Sequence, residues 1–139
     1  MRWIGGLLGL VLLGCSPSSK EDFRQEGQRL CKGLVKELSA IETSDDLVKS
    51  APEIKKYFEK MVDVMIEARK LGIENGDEEE TLRQMEDNSY SEWLCFELRR
   101  IYSLEKGRET IEKVQREAML RLDAYARTKE KQQQHLRKQ

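Results

Sequence analysis

Histidine is nearly absent from this sequence: His135, close to the C-terminal end, stands alone in 139 residues. With one imidazole there is no histidine for a Ser-His-Asp or Cys-His arrangement in the core. The Glu-x-x-His motif that di-iron bundles repeat on two helices is excluded, and zinc held by cysteine and histidine lacks ligands. No G-x-x-x-x-G-K-[S/T] phosphate loop is present. An excess of charge of one sign is missing too. Lysine and arginine number 25 against 26 aspartates and glutamates, a net charge of −1. Binding to a phosphate backbone needs a clear basic excess, so nucleic acid is excluded as a main partner. The carboxylates are numerous enough that some close pair is inevitable, so they do not by themselves mark a glycosidase. The expectation is a protein that is not an enzyme, with no cofactor and no metal. The acidic run ENGDEEE at residues 74–80 lacks EF-hand spacing and reads as acids placed at the start of a following helix.

Long hydrophobic runs are also lacking, with one short exception. Residues 3–14, WIGGLLGLVLLG, carry no charge and follow Arg2. A membrane-spanning helix needs about 20 apolar residues, so this run is too short to cross and fits the apolar centre of a signal peptide. An ordinary signal peptidase site has small residues in an A-x-A-like pattern, but position 12 is Leu. The run stops instead at Leu12-Leu13-Gly14-Cys15. That tetrad resembles the lipobox of bacterial lipoproteins: an aliphatic residue, a variable one, a small one and an obligatory cysteine. The resemblance implies that the Cys15 thiol accepts a diacylglycerol, that cleavage falls between Gly14 and Cys15, and that the new α-amine is acylated. It implies a lipid-anchored bacterial membrane protein. Ser16 stands where an aspartate is associated with inner-membrane retention, which favours the outer membrane. The resemblance covers about the first fifteen residues and says nothing about the remainder.

Four regions follow: a signal peptide over 1–14, a lipidated tether over 15–20, a helical domain over 21–126 and a basic polar tail over 127–139. Without residues 1–14 the chain loses one arginine and its net charge moves from −1 to −2. The charged fraction of 37% and the scarcity of proline (two residues) are the composition of helices. Phe23, Leu30, Leu34, Leu38 and Ile41 recur at helical spacing, with Cys31 and Val35 beside them. Thr43-Ser44-Asp45-Asp46 supplies capping side chains for a short helical turn. Ser50-Ala51-Pro52-Glu53 reads as the start of a second long helix, with Pro52 in its first turn. Its stripe runs from Ile54 to Leu71, and Gly72 suits a left-handed cap. A weak helical stretch is expected over 81–87. A third segment starts at Ser89 or Ser91 with Trp93, Leu94, Phe96, Leu98, Ile101 and Tyr102, and a stripe of Ile111, Val114, Ala118, Leu122 and Tyr125 follows Gly107. Gly107 fits a kink, a break or a tolerated helical glycine equally well. The expected fold is all-α, a compact up-and-down bundle of three to four helices.

Cys31 and Cys95 remain beside Cys15. In an oxidising periplasm the pair predicts a disulfide closing a loop of about 65 residues, which the chain-entropy model values at about 4 kcal/mol. Two functional classes fit. In the first, the anchored bundle docks another envelope protein or a host protein through an exposed helical face. Trp93, Phe96 and Tyr102 are its candidate anchors. In the second, Met61, Met65, Met85, Met119 and aromatic residues line a pocket for a small ligand or lipid. The tail, with five basic residues and one acid, is a frayed, solvated end without helical order or a short arm touching anionic lipid headgroups or envelope polymers.

Overall fold

The computed structural model describes residues 17–72 and 89–138. Four helices stand among them: α1 (Lys20–Ser39), α2 (Ser44–Lys70), α3 (Ser89–Tyr102) and α4 (Gly107–Arg137). The fold is all-α, as the periodicity predicts. The acidic run 74–80, the stretch 81–87, Met85, Gly14 and Cys15 lie outside the described residues.

Two capping boxes start α1 and α2. The Ser19 hydroxyl accepts from the Asp22 N–H (3.1 Å), while the Asp22 carboxylate accepts from the Ser19 N–H (3.2 Å). Thr43 and Asp46 repeat the arrangement at α2, at 3.2 and 3.0 Å. Each box satisfies backbone donors that the first turn leaves without helical partners.

α2 departs from the expected punctuation. No break falls before Ser50, and one helix of 27 residues runs from Ser44 through Pro52 to Lys70. Proline removes the N–H that would bond the carbonyl four residues back, here that of Val48. Val48 is 66% exposed, so water can serve that carbonyl, and the Thr43 box holds the helix start upstream. At the other end Gly72 has φ of +69°, the left-handed conformation expected of it.

Gly107 is a break. Residues 103–106 join α3 to α4 in a tight turn, with the Leu104 N–H on the Ile101 carbonyl (3.0 Å) and the Gly107 N–H on the Leu104 carbonyl (2.9 Å). Lys106 sits at φ of +58°, and a Cβ on Gly107 would lie 1.9 Å from the Ile101 carbonyl oxygen. Only glycine lets the chain turn this closely on itself.

The connections and cross-helix pairs set the directions. The four-residue connection 40–43 reverses the chain between α1 and α2. α2 and α4 run in the same direction, since Lys55 pairs with Glu117 and, further along both helices, Asp63 pairs with Arg121. Arg100, near the end of α3, reaches the end of α1, so those two also run together. The result is an up-and-down bundle in which α1 and α4 each pack against both α2 and α3. Leu34, Leu38, Ile41, Leu47, Ile54, Ile101, Ile111 and Val114 form its main core, and Val62, Ala118 and Leu122 form a second cluster, with Phe58 against both. Each of the fully buried leucines and isoleucines contributes about 1.5–3 kcal/mol of apolar transfer. No helix among the described residues is long and apolar enough to cross a membrane.

Candidate functional site

α3 is apolar nearly all round, so the side it turns outward is the informative one. Leu94, Leu98 and Ile101 face the core. Glu97 joins them at 6% exposure. Its carboxylate accepts from Arg100 Nε at 2.8 Å, and the same guanidinium donates to the carbonyls of Ile41 (2.6 Å) and Leu38 (2.7 Å). Arg100 therefore adds a second donor to the Leu38 carbonyl, which also accepts from the Ile41 N–H (3.1 Å), and serves the Ile41 carbonyl just beyond the end of α1, while Glu97 neutralises its charge. This clamp was not anticipated. Its signal in the sequence is the Glu97-x-x-Arg100 pair inside an otherwise greasy helix, a spacing that on its own is common on helix surfaces.

The outward side carries Glu92, Cys95, Phe96 and Arg99, with Trp93 on its flank. Trp93 is 52% exposed and Phe96 63%. Ser91, Glu92, Cys95, Phe96 and Arg99 border one shallow depression of about 320 Å³. An exposed ring between an acid and a base offers apolar area with charges at its rim, the arrangement of a protein-docking face. Two of the three candidate anchors are thus exposed. Tyr102 is not with them: it packs against the core, and the Arg108 guanidinium sits 5.3 Å from its ring centre.

The Cys31–Cys95 disulfide is not formed. Both cysteines are free, Cys31 half-buried in α1 and Cys95 exposed on α3. α1 and α3 do pack together, but through Leu94, Glu97, Leu98 and Ile101, which leaves Cys95 on the opposite side of its helix. Burial pushes the Cys31 thiol above its ordinary pKa, which makes it a poor nucleophile.

The methionines do not converge. Met61 packs on the main core, whereas Met65 and Met119 are 37% and 44% exposed. One depression of about 600 Å³ is open to solvent and bordered by charged side chains such as Arg108, Glu112 and Arg116. No group of three or more His, Cys, Asp or Glu side chains is arranged to hold a metal among the described residues. The tail is not frayed. α4 continues as helix to Arg137, and every residue from 127 to 138, His135 included, is exposed.

No protein-family model matches the chain, and neither does any curated protein or solved structure.

Proposed function

We propose that this chain is a lipid-anchored protein of the bacterial envelope, with the outer membrane favoured, whose bundle is a non-enzymatic module for docking another envelope protein. In this reading Gly14 and Cys15 flank the cleaved bond, Cys15 carries the acyl chains, and residues 15–20 tether the bundle. The Leu12-Leu13-Gly14-Cys15 tetrad supports the anchor. The docking role rests on one observation, the exposure of Trp93 and Phe96 side by side on α3. A soluble domain gains nothing in folding from leaving two large rings in water, while an interface uses such rings as anchors.

The test is a photoreactive amino acid at position 96 in membranes, beside the same residue at the exposed position 120 of α4. Position 96 is expected to give a discrete adduct with another envelope protein that position 120 does not. Equal or absent adducts at the two positions would remove the docking role.

A further inference from the structure

The end of α4 is a helix that packs on nothing among the described residues. Residues 127–138 are exposed on every side. A helix this short has little stability alone, so it persists as an extension of the packed part of α4. Its composition is one-sided: Arg127, Lys129, Lys131, Arg137 and Lys138 against Glu130. Among the described residues, carboxylates near this end of the bundle are already paired, Asp63 with Arg121, Glu67 with Lys70 and Glu26 with Arg29. Among the described residues, these three carboxylates are therefore engaged by other bases than those of the extension.

Its position is set by the helix directions. Pro17 and Phe23, where the tether enters α1, share a surface depression with Asp63 and Glu67 of α2. Lys70 ends α2, and its pKa is raised by the hydrogen-bonded Glu67 carboxylate and, more weakly, by Tyr125 of α4. The Asp63–Arg121 pair and the Val62–Ala118–Leu122 cluster carry α4 alongside the last part of α2, and the exposed final turns of α4 project beyond the end of the bundle where the tether emerges. The reach also agrees. From Tyr125 to Arg137 the helix advances about 18 Å at 1.5 Å per residue. The five residues from Cys15 to Lys20 span at most about 17 Å.

From this juxtaposition we infer that the basic extension of α4 is a second membrane contact, its end meeting anionic lipid headgroups of the bilayer that holds Cys15. The inference rests on the lipid-anchor reading. Opposite charge supplies the attraction, each neutralised Lys or Arg being worth about a fivefold change in partitioning. Leu136, 70% exposed at the tip, adds an apolar side chain at the depth of the interface. Acyl chains alone would leave the bundle free to swivel on its tether. A second contact at the same end would hold it upright, with the α3 face directed sideways.

The experiment uses the full acylated chain, extracted from membranes and reconstituted into phosphatidylcholine vesicles with or without phosphatidylglycerol. A photoreactive residue replaces Leu136, with position 120 as control. Expected are lipid adducts from position 136 in phosphatidylglycerol vesicles. They should fall several-fold in phosphatidylcholine alone, in about 1 M salt, where the Debye length is near 3 Å, and in the triple variant Lys129→Gln, Lys131→Gln, Arg137→Gln. Position 120 should give none. Vesicle flotation on the same samples separates the two ideas. Protein that floats but gives no charge-dependent adduct at 136 overturns the arm and leaves the anchor standing. Protein that does not float overturns both.

Discussion

The two ends of this bundle are built to opposite rules. At the end where α1 turns into α2 and α3 into α4, backbone groups are met by side chains from other helices. Arg100 takes the Leu38 and Ile41 carbonyls, the Ser44 hydroxyl donates to the Glu105 carbonyl (3.0 Å), and Gly107 closes on the Ile101 carbonyl. At the tether end, Phe23 and Leu30 of α1 are buried and Val62, Ala118 and Leu122 form a smaller cluster, with exposed ion pairs around them. There α4 runs on into solvent. The larger core cluster and the cross-helix contacts to backbone groups thus lie toward the closed end.

Substitutions at the closed end should therefore be the costliest. Gly107→Ala forces a Cβ into a backbone oxygen that has no freedom to withdraw, and a loss of more than about 3 kcal/mol is expected in denaturant unfolding. Arg100→Ala strands the buried Glu97 carboxylate and takes a donor from the Ile41 carbonyl, while the Leu38 carbonyl keeps the Ile41 N–H. A full charge burial would cost about 3–5 kcal/mol, and because Arg100 is one-third exposed we expect about 2–3. Arg100→Lys should recover only part, since an ammonium lacks the planar fork that reaches both helices.

At the open end the expected effects shrink and one changes sign. The Tyr125 hydroxyl is enclosed without a hydrogen-bond partner among the described residues, and Lys129 lies 5.6 Å from its ring centre. Tyr125→Phe removes an unsatisfied polar group and should stabilise by about 1 kcal/mol. Acid compares the ends directly through their caps. Hydrogen bonds from the Ser18 N–H, and then the Ser19 hydroxyl, hold Asp22 below its ordinary 3.8. The Thr43 hydroxyl and N–H do the same for Asp46. Since both folded values are depressed, their contribution is complete above 3.8 and disappears as pH falls through the lowered folded values. Asp22→Asn and Asp46→Asn should each flatten the decline of the urea midpoint with acid below that point. The smallest effect belongs to the arm: Lys129→Gln with Lys131→Gln should change stability by under about 0.5 kcal/mol while weakening lipid contact.

How legible each part was in the sequence depended on how one-sided its helices are. The stripes of α1 and of the packed part of α4 have polar residues between them, so Leu34, Leu38, Ile111 and Val114 could be placed inward by spacing alone. In α3, Trp93, Leu94, Cys95, Phe96 and Leu98 leave no polar side to exclude. The one acid that enters the core, Glu97, inverts the usual cue. That is why the Cys31–Cys95 bridge looked feasible and why Tyr102 was grouped with the exposed rings. Pro52 misled in a different way: a strong start signal lay inside a helix already begun at Thr43. Gly107 kept three readings open because the approach of the Ile101 carbonyl is a property of the folded turn. Trp93 and Phe96 were recognised as neighbours by their spacing, but their exposure follows from which face of α3 the Arg100–Glu97 clamp turns inward.

The central claim is that Cys15 anchors the bundle to a membrane. It is tested most directly by mass spectrometry of the protein extracted from its native membrane, wild type beside Cys15→Ser. A mature chain beginning at Cys15 and carrying acyl mass, lost in the variant, is the predicted result. An unmodified chain still beginning at Met1 would contradict it.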